Sequence, residues 1–242
     1  MPRTTLALNS FVSGEFSAKL DGRIDFGKYN TSCKTLENFL VHPQGAATRR
    51  VGTQHIAEVK DSSKKTRLIP FEFSTEQTYI LEFGDQYMRV YKDKGQVLSG
   101  GSPFEISTPY LEAELFDLKF AQSADVLYIC HPNHDVRKLS RTGHTNWTLA
   151  TVSFTQTSSL TISGANNRPS CVSFFEQRLV FANTNNNPQT LWFSKAGDYE
   201  NFTTGTNADD AMIYTIASNQ DTRNSYLGTL MIGFAIIVLS AQ

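Results

Sequence analysis

Short apolar runs with the character of β-strands dominate the chain. Each is rich in β-branched or aromatic residues and is bounded by Gly, Asn, Asp or Pro, which is typical of strands and turns. The runs are YILEF (79–83), YMRVY (87–91), VLYIC (126–130), VSFF (172–175), RLVFA (178–182) and TLWFS (190–194). We therefore predict an all-β fold.

Two local patterns refine this prediction. The runs 79–83 and 87–91 predict a β-hairpin, with Gly84 and Asp85 at the reversal. The one helical candidate is TPYLEAELFDLKF (108–120), in which Pro109 suits a first helical position. This segment is short and poorly capped, so we expect a turn or two of helix at most.

Two segments of the chain are similar to each other. They are LYICHPNHDVRKLSRTGHTNWT, beginning at Leu127, and LVFANTNNNPQTLWFSKAGDYENFT, beginning at Leu179. In each, a second leucine follows at the same spacing (Leu139 and Leu191), and then come a glycine turn and an aromatic residue. Units of this length are typical of propeller blades. We predict β-propeller-like blades, in a complete or incomplete set, after an N-terminal extended β segment. A β-sandwich with a duplicated hairpin is the alternative.

Charge is distributed unevenly along the chain. Residues 1–70 contain eleven Lys and Arg against six Asp and Glu, whereas residues 71–242 contain eleven against seventeen. We divide the chain into a basic N-terminal assembly segment (1–70), a hairpin with a short helical connection (71–120) and repeated blades (121–242) whose C-terminus could be truncated. A solvated segment would show the same excess of basic residues.

The net charge of −1 argues against a general nucleic-acid binder.

The sequence offers little catalytic chemistry. HPNH (131–134) has the spacing of a metal site, but the matching loop of the second segment, NTNNNPQT, has only amides. We therefore interpret HPNH as a solvated turn and expect no metal and no cofactor. No nucleophile, zinc-protease, phosphate-loop or dinucleotide motif occurs, so no enzymatic activity is expected. The three cysteines are far apart, which predicts reduced thiols.

The C-terminal residues 226–241 carry no charge. As a helix they would span about 24 Å, which is short of the ~30 Å hydrocarbon core of a bilayer. A buried strand is the preferred interpretation, a tail anchor is the alternative, and no membrane anchor is expected. The candidate subunit-interface strand consists of Met231, Ile232, Phe234, Ile236 and Val238.

The N-terminal residues 9–53 carry a recognisable pattern of small, polar and aromatic residues. It consists of Asn9, Phe11, Gly14, Ser17, Asp25, Tyr29, Asn38, Gln44, Gly45, Arg49, Arg50 and Gly52. This pattern resembles the opening of the tail nozzle proteins, or tail tubular protein B, of short-tailed phages and related prophages. The block 118–132 is similar to a later segment of that family and includes Asp125, and residues 67–91 are similar to its linking strands.

The resemblance extends over roughly residues 9–218, and it has two departures. Val51 stands where the family usually has proline, and the pattern ends after about Asn219, in a chain much shorter than typical members.

The resemblance implies a structural virion protein. Such proteins assemble as a homo-oligomeric ring, usually six-fold, below the portal-adaptor proteins and beside tail fibres or the tail tip. Double-stranded DNA passes transiently through the lumen. The implied location is the phage tail, after assembly in the bacterial cytoplasm. Two alternatives stay open: a non-catalytic propeller module that binds a receptor or glycan, and a tail-associated hydrolase.

We interpret the adjacent arginines Arg49 and Arg50 from their place in the basic N-terminal segment and in this shared pattern. We expect one to reach a carboxylate or backbone carbonyls and so fix the N-terminal segment. The other is expected to face a neighbouring subunit. Contact with DNA in the lumen and simple solvent exposure are the alternatives.

Overall fold

The computed structural model describes residues 8–74, 76–157 and 162–216. Over these residues the protein is nearly all β, which confirms the predicted fold class. Its helical elements there are three single 3₁₀ turns, at Ala18–Leu20, Tyr29–Thr31 and Glu112–Glu114. The chain forms two compact units with a boundary between His55 and Ile56. That boundary lies earlier than the expected one near residue 70, and the expected division near residue 120 falls inside the second unit.

The N-terminal unit is built on four short strands. They are β1 (Gly14–Glu15), β2 (Ser32–Cys33), β3 (Phe39–Val41) and β4 (Ala47–Arg49). β1 pairs with β2 in parallel, and β3 pairs with β4 as an antiparallel hairpin. Most side chains of this unit are exposed, so local turns and backbone hydrogen bonds organise it more than a core does.

The second unit begins with a five-stranded antiparallel sheet, here called the first sheet. Its strands are β5 (Arg67–Glu72), β6 (Thr78–Gly84), β7 (Tyr87–Lys92) and β8 (Gly95–Gln96), then, after a small hairpin of β9 (Leu98–Ser99) and β10 (Ser102–Pro103), β11 (Glu105–Ser107). The order across the sheet is β11-β7-β6-β5, and β8 also pairs with β7.

Two four-stranded antiparallel sheets follow. The second sheet consists of β12 (Lys119–Ser123), β13 (Val126–His131), β14 (His134–Gly143) and β15 (Asn146–Thr151), in chain order. After β16 (Thr155–Gln156), the third sheet consists of β17 (Cys171–Phe175), β18 (Arg178–Ala182), β19 (Thr190–Phe193) and, beyond β20 (Asn201–Phe202), β21 (Met212–Thr215). β16 pairs with β20 in parallel. All six predicted runs lie in strands, with only Ser194 falling just outside.

Successive sheets share apolar cores, which explains why some strands read as unbroken apolar runs. In β13, Leu127 and Ile129 belong to the core shared with the first sheet. Tyr128 and Cys130 point to the opposite face and belong to the core shared with the third sheet. Because side chains alternate along a strand, a strand buried on both faces must be apolar at every position.

The sequence repeat corresponds to the second and third strands of two consecutive sheets. The alignment of the two segments in sequence agrees only in part with their strand pairing. Leu127 lies opposite Leu139, but Leu191 lies opposite Ala182 and not opposite Leu179. Two residues join β13 to β14, whereas the seven residues 183–189 join β18 to β19, so equal spacing in sequence produces different strand pairing.

The two local predictions have different outcomes. The hairpin of β6 and β7 is confirmed, but it reverses at Asp85 and Gln86, where Gln86 takes a positive φ of 63°. The helical candidate forms only the 3₁₀ turn Glu112–Glu114. Pro109 precedes this turn and does not occupy its first position, because Leu111 is the N-cap.

Gly84 is required by a close approach of Tyr87, which lies directly opposite it. A Cβ at position 84 would overlap the Tyr87 ring, and this ring is buried. We expect Gly84→Ala to lower the free energy of unfolding by about 1–3 kcal/mol, because the ring must leave its packed position. Urea denaturation measures the loss.

Gly95→Ala is the matched control in the same sheet. The nearest atom to its added Cβ is a backbone oxygen at 3.7 Å, so its effect should stay within about 1 kcal/mol. Equal losses in the two variants would mean that the Tyr87 ring does not make Gly84 necessary.

Candidate functional site

Several residues of the N-terminal pattern lie in or beside the β3–β4 hairpin. The strands reverse over the His42–Gly45 turn, where the Gly45 N–H donates to the His42 carbonyl at 2.9 Å. Gly45 is buried with a φ of +99°, and a Cβ there would lie 2.6 Å from Ser10 Oγ. Position 45 therefore requires glycine for two reasons: its backbone has a positive φ, and Ser10 leaves no room for a side chain.

Phe11 and Gly14 connect the start of the chain to this hairpin and to β2. The Phe11 N–H donates to the Gly45 carbonyl at 2.8 Å, and the Gly14 N–H donates to the Phe11 carbonyl at 2.9 Å. Gly14 has a φ of +66° and opens β1, which pairs with β2. Backbone hydrogen bonds thus join two pattern residues near the start of the chain to a third in the hairpin.

Asn38 and Arg50 meet at the open end of the hairpin. The Arg50 N–H donates to the Asn38 carbonyl at 2.8 Å, and Arg50 Nε donates to Asn38 Oδ1 at 3.3 Å. Asn38 has a φ of 61°, a conformation that asparagine tolerates better than most residues. Arg50 therefore reaches a side-chain amide, and not the carboxylate or backbone carbonyls that were expected.

Arg49 differs from its neighbour. It lies opposite Phe39 in the hairpin and is exposed. Its guanidinium has no hydrogen-bond or ion-pair partner among the residues that the structure describes.

The other predicted site residues are dispersed. Asn9, Gln44 and Gly52 are exposed. Asp125 lies in the β12–β13 turn of the second sheet, where its carboxylate binds Arg141 Nε at 2.9 Å. The candidate interface strand, with Met231, Ile232, Phe234, Ile236 and Val238, lies outside the described residues, as does the rest of the apolar C-terminal run.

A compact polar cluster that the sequence did not predict lies at the turn of the β13–β14 hairpin. His131 ends β13 and His134 begins β14, and the two are paired across Pro132 and Asn133. Their ring centroids are 5.3 Å apart. Glu114, from the 3₁₀ turn between the first and second sheets, accepts a hydrogen bond from His134 Nε2 at 2.8 Å.

Additional hydrogen bonds fix these groups. Glu114 Oε2 accepts from the Leu111 N–H at 3.0 Å, and Glu114 Oε1 accepts from Asn133 Nδ2 at 3.1 Å. The Asn133 N–H donates to His131 Nδ1 at 3.1 Å. The cluster thus ties the connection between the two sheets to the hairpin.

The cluster sets the charge of its members. Burial raises the pKa of Glu114, but the hydrogen bonds from Leu111, His134 and Asn133 outweigh it and lower this pKa to about 2. Burial lowers the pKa of His131, and the nearby Glu114 carboxylate offsets only part of that. At neutral pH Glu114 is therefore ionised and His131 is neutral.

The interpretation of HPNH as a solvated turn is wrong for its histidines. His131 is only 2% exposed, and His134 is half-buried against the Tyr110 ring, whose centroid lies 5.2 Å away. Repeat alignment misled the prediction because the loops that it compared have different lengths. Glu114 gave no sequence signal, since it comes from a separate segment that only folding brings close.

Comparison with known proteins assigns no family. A search against models of protein families finds no match, and a search of curated proteins finds none. Within the described residues, no helix is long and apolar enough to cross a membrane.

Proposed function

We propose that the protein is a structural subunit of a phage tail nozzle, the ring that retains the packaged genome and forms the channel for DNA ejection. The observation that carries the proposal is the series of three antiparallel meanders joined by two shared cores. The blades of a propeller are consecutive sheets that pack face to face in chain order. A sandwich with one duplicated hairpin would need only two sheets.

The contacts within the N-terminal unit support the same proposal. The resemblance to nozzle proteins depends on residues spread over more than forty positions. Two pairs of them, Phe11 with Gly45 and Asn38 with Arg50, are hydrogen-bonded partners. A shared spacing therefore has a structural reason, since moving either member of a pair would break its contact.

The proposed assembly is a virion ring, usually six-fold, that contacts portal-adaptor proteins and tail fibres or the tail tip. The acidic balance of residues 71–242 suits a channel through which DNA must slide. Phosphate contacts add affinity cumulatively, so a basic lumen would hold the DNA back.

The glycan-binding alternative has weaker support. Its two candidate loops would have to present free polar groups to a ligand. His131 is instead buried, and Asn186 Nδ2 in the other loop donates to Asn167 Oδ1 at 2.8 Å. Binding in a glycan array would restore this alternative, and clearing of polysaccharide or peptidoglycan would support a hydrolase.

Imaging of purified phage particles tests the proposal directly. A labelled copy of the protein should lie on the tail axis, below the portal and adaptor, in a closed ring. Intact tails without the protein, or a position on peripheral fibres, would contradict it.

The paired arginines give a mutational test of assembly. Arg49 is exposed and unpartnered within the described residues, so we expect Arg49→Glu to raise the protomer concentration needed for half-assembly about tenfold. Mass photometry measures the ring fraction. The thermal midpoint of the unassembled protein should not change.

Arg50→Glu is the comparison variant. Because Arg50 binds Asn38, its reversal should lower the thermal midpoint as well as weaken assembly. Normal rings in both variants, combined with failed DNA ejection, would place the arginines in the lumen and contradict the interface role.

A further inference from the structure

We propose that Glu114, His131 and His134 form a binding site for a divalent transition-metal ion, and that Zn²⁺ is the ion its donors suit best. One ligand atom from each residue lies within 4.8 Å of the other two. This inference is independent of the nozzle proposal, because it depends only on the β13–β14 hairpin and on the 3₁₀ turn beside it.

The site is largely formed before any ion arrives. Strand pairing holds His131 and His134 opposite each other across a two-residue turn. Glu114 is held by the Leu111 N–H, within its own 3₁₀ turn. Little chain entropy is therefore lost on binding, and preorganised ligands bind more tightly than mobile ones.

The donor set selects the class of metal. Two imidazoles and one carboxylate suit Zn²⁺, Co²⁺ and Ni²⁺, whereas Mg²⁺ and Ca²⁺ prefer oxygen ligands alone.

One side of the site is open to water. The His134 and Glu114 side chains are 23% and 15% exposed, while His131 is buried. An ion held by three protein ligands would therefore complete its coordination with water.

Binding must displace existing hydrogen bonds, which limits the affinity. The ion would replace the hydrogen bond between His134 Nε2 and Glu114 Oε2, and the neutral His134 ring would carry its proton on Nδ1. His131 would lose its Nδ1 contact with the Asn133 N–H, either because Nδ1 coordinates the ion or because the ring proton moves to Nδ1 so that Nε2 can coordinate. We therefore expect a Kd on the order of 1–50 µM, weaker than for closed four-ligand zinc sites.

The bound ion would link the connection between the first and second sheets to the β13–β14 hairpin. At a hundred-fold excess over Kd, the thermal midpoint should rise by about 5–10 °C. The same concentration of Mg²⁺ should leave it unchanged.

The test uses tag-free full chain, stripped with chelator and then desalted. Calorimetric titration with Zn²⁺ should show one equivalent bound, and Co²⁺ should give visible absorption bands typical of tetrahedral coordination. His134→Ala and Glu114→Gln should each weaken Zn²⁺ binding at least tenfold. His55→Ala is the control, because His55 is exposed and outside the cluster, and it should bind as the unaltered protein does.

Two results would overturn the proposal. One is the absence of saturable Zn²⁺ binding by the unaltered protein below about 50 µM. The other is unchanged binding by both Glu114→Gln and His134→Ala. Circular dichroism establishes that each variant is folded. If His134→Ala does not fold, Glu114→Gln decides the matter alone, since it keeps the shape and a hydrogen-bond acceptor.

Discussion

Replacing Trp147 by alanine is expected to lower the free energy of unfolding by about 3–5 kcal/mol. Trp147 lies in β15 of the second sheet and is only 5% exposed. Its ring centroid lies 4.9 Å from that of Phe71 and 5.3 Å from that of Tyr79, both in the first sheet. The substitution would open a cavity at the junction of two sheets, and the edge-to-face ring contacts would be lost with it.

A hydrogen bond adds to the expected loss. Trp147 Nε1 donates to the His144 carbonyl at 3.0 Å. His144 Nδ1 is in turn within 2.7 Å of the Tyr79 hydroxyl. Removal of the indole therefore affects a small network that spans both sheets, and neighbouring groups in such a network do not contribute independently.

Urea denaturation followed by circular dichroism measures the effect. Trp192 lies in the other shared core, so its fluorescence reports unfolding in the Trp147→Ala variant. Phe116→Ala is the control, since Phe116 is 60% exposed, and its loss should stay below about 1 kcal/mol. A similarly small loss for Trp147→Ala would mean that the first and second sheets do not depend on this contact.

The strands of this fold can be predicted from the sequence, because each strand is marked by a pattern of residues within its own segment. Runs such as RLVFA and VLYIC are apolar at successive positions, and short apolar runs between turn residues favour strands. What such a run does not reveal is which neighbour each face meets. Leu127 and Tyr128 are adjacent and both buried, yet they belong to cores on opposite sides of one sheet.

The candidate sites are harder to predict from sequence than the strands, because they depend on contacts between distant segments. The repeat alignment matched HPNH with an amide-rich loop, although the two loops differ in length and in strand pairing. Glu114 lies about twenty positions before the histidines, and only the turn after the first sheet brings it to them. Contacts between segments depend on packing, which no local pattern encodes.

Arg178 is a second feature that sequence could not have indicated. It lies in β18 and is 7% exposed, although buried arginines are uncommon without a partner. Its Nη1 donates to the carbonyls of Ser194 and Asp210, and its Nη2 donates to the carbonyl of Ala208, each at 2.7 Å. A single guanidinium thus holds the loop before β21 against the third sheet.

Substitution of Arg178 by methionine should therefore cost about 2–4 kcal/mol of unfolding free energy. Methionine conserves much of the apolar stem, but three backbone carbonyls lose a charged donor. The carbonyl of the buried Ser194 is left without this donor in a position where an unpaired acceptor is costly. Arg178→Lys should recover less than half of the loss, because one ammonium cannot reproduce the planar fork that reaches three acceptors.

The control and a local readout make this prediction specific. Arg168 forms an ion pair with Asp135 at 3.0 Å in a partly exposed position, so Arg168→Met should cost less than about 1 kcal/mol. In Arg178→Met, a protease that cleaves at aspartate should cut the loop at Asp209 and Asp210 faster than in the unaltered protein. If urea denaturation shows equal losses for the two arginine variants and cleavage is unchanged, the guanidinium does not anchor the loop, and the third sheet holds β21 through its strand pairing alone.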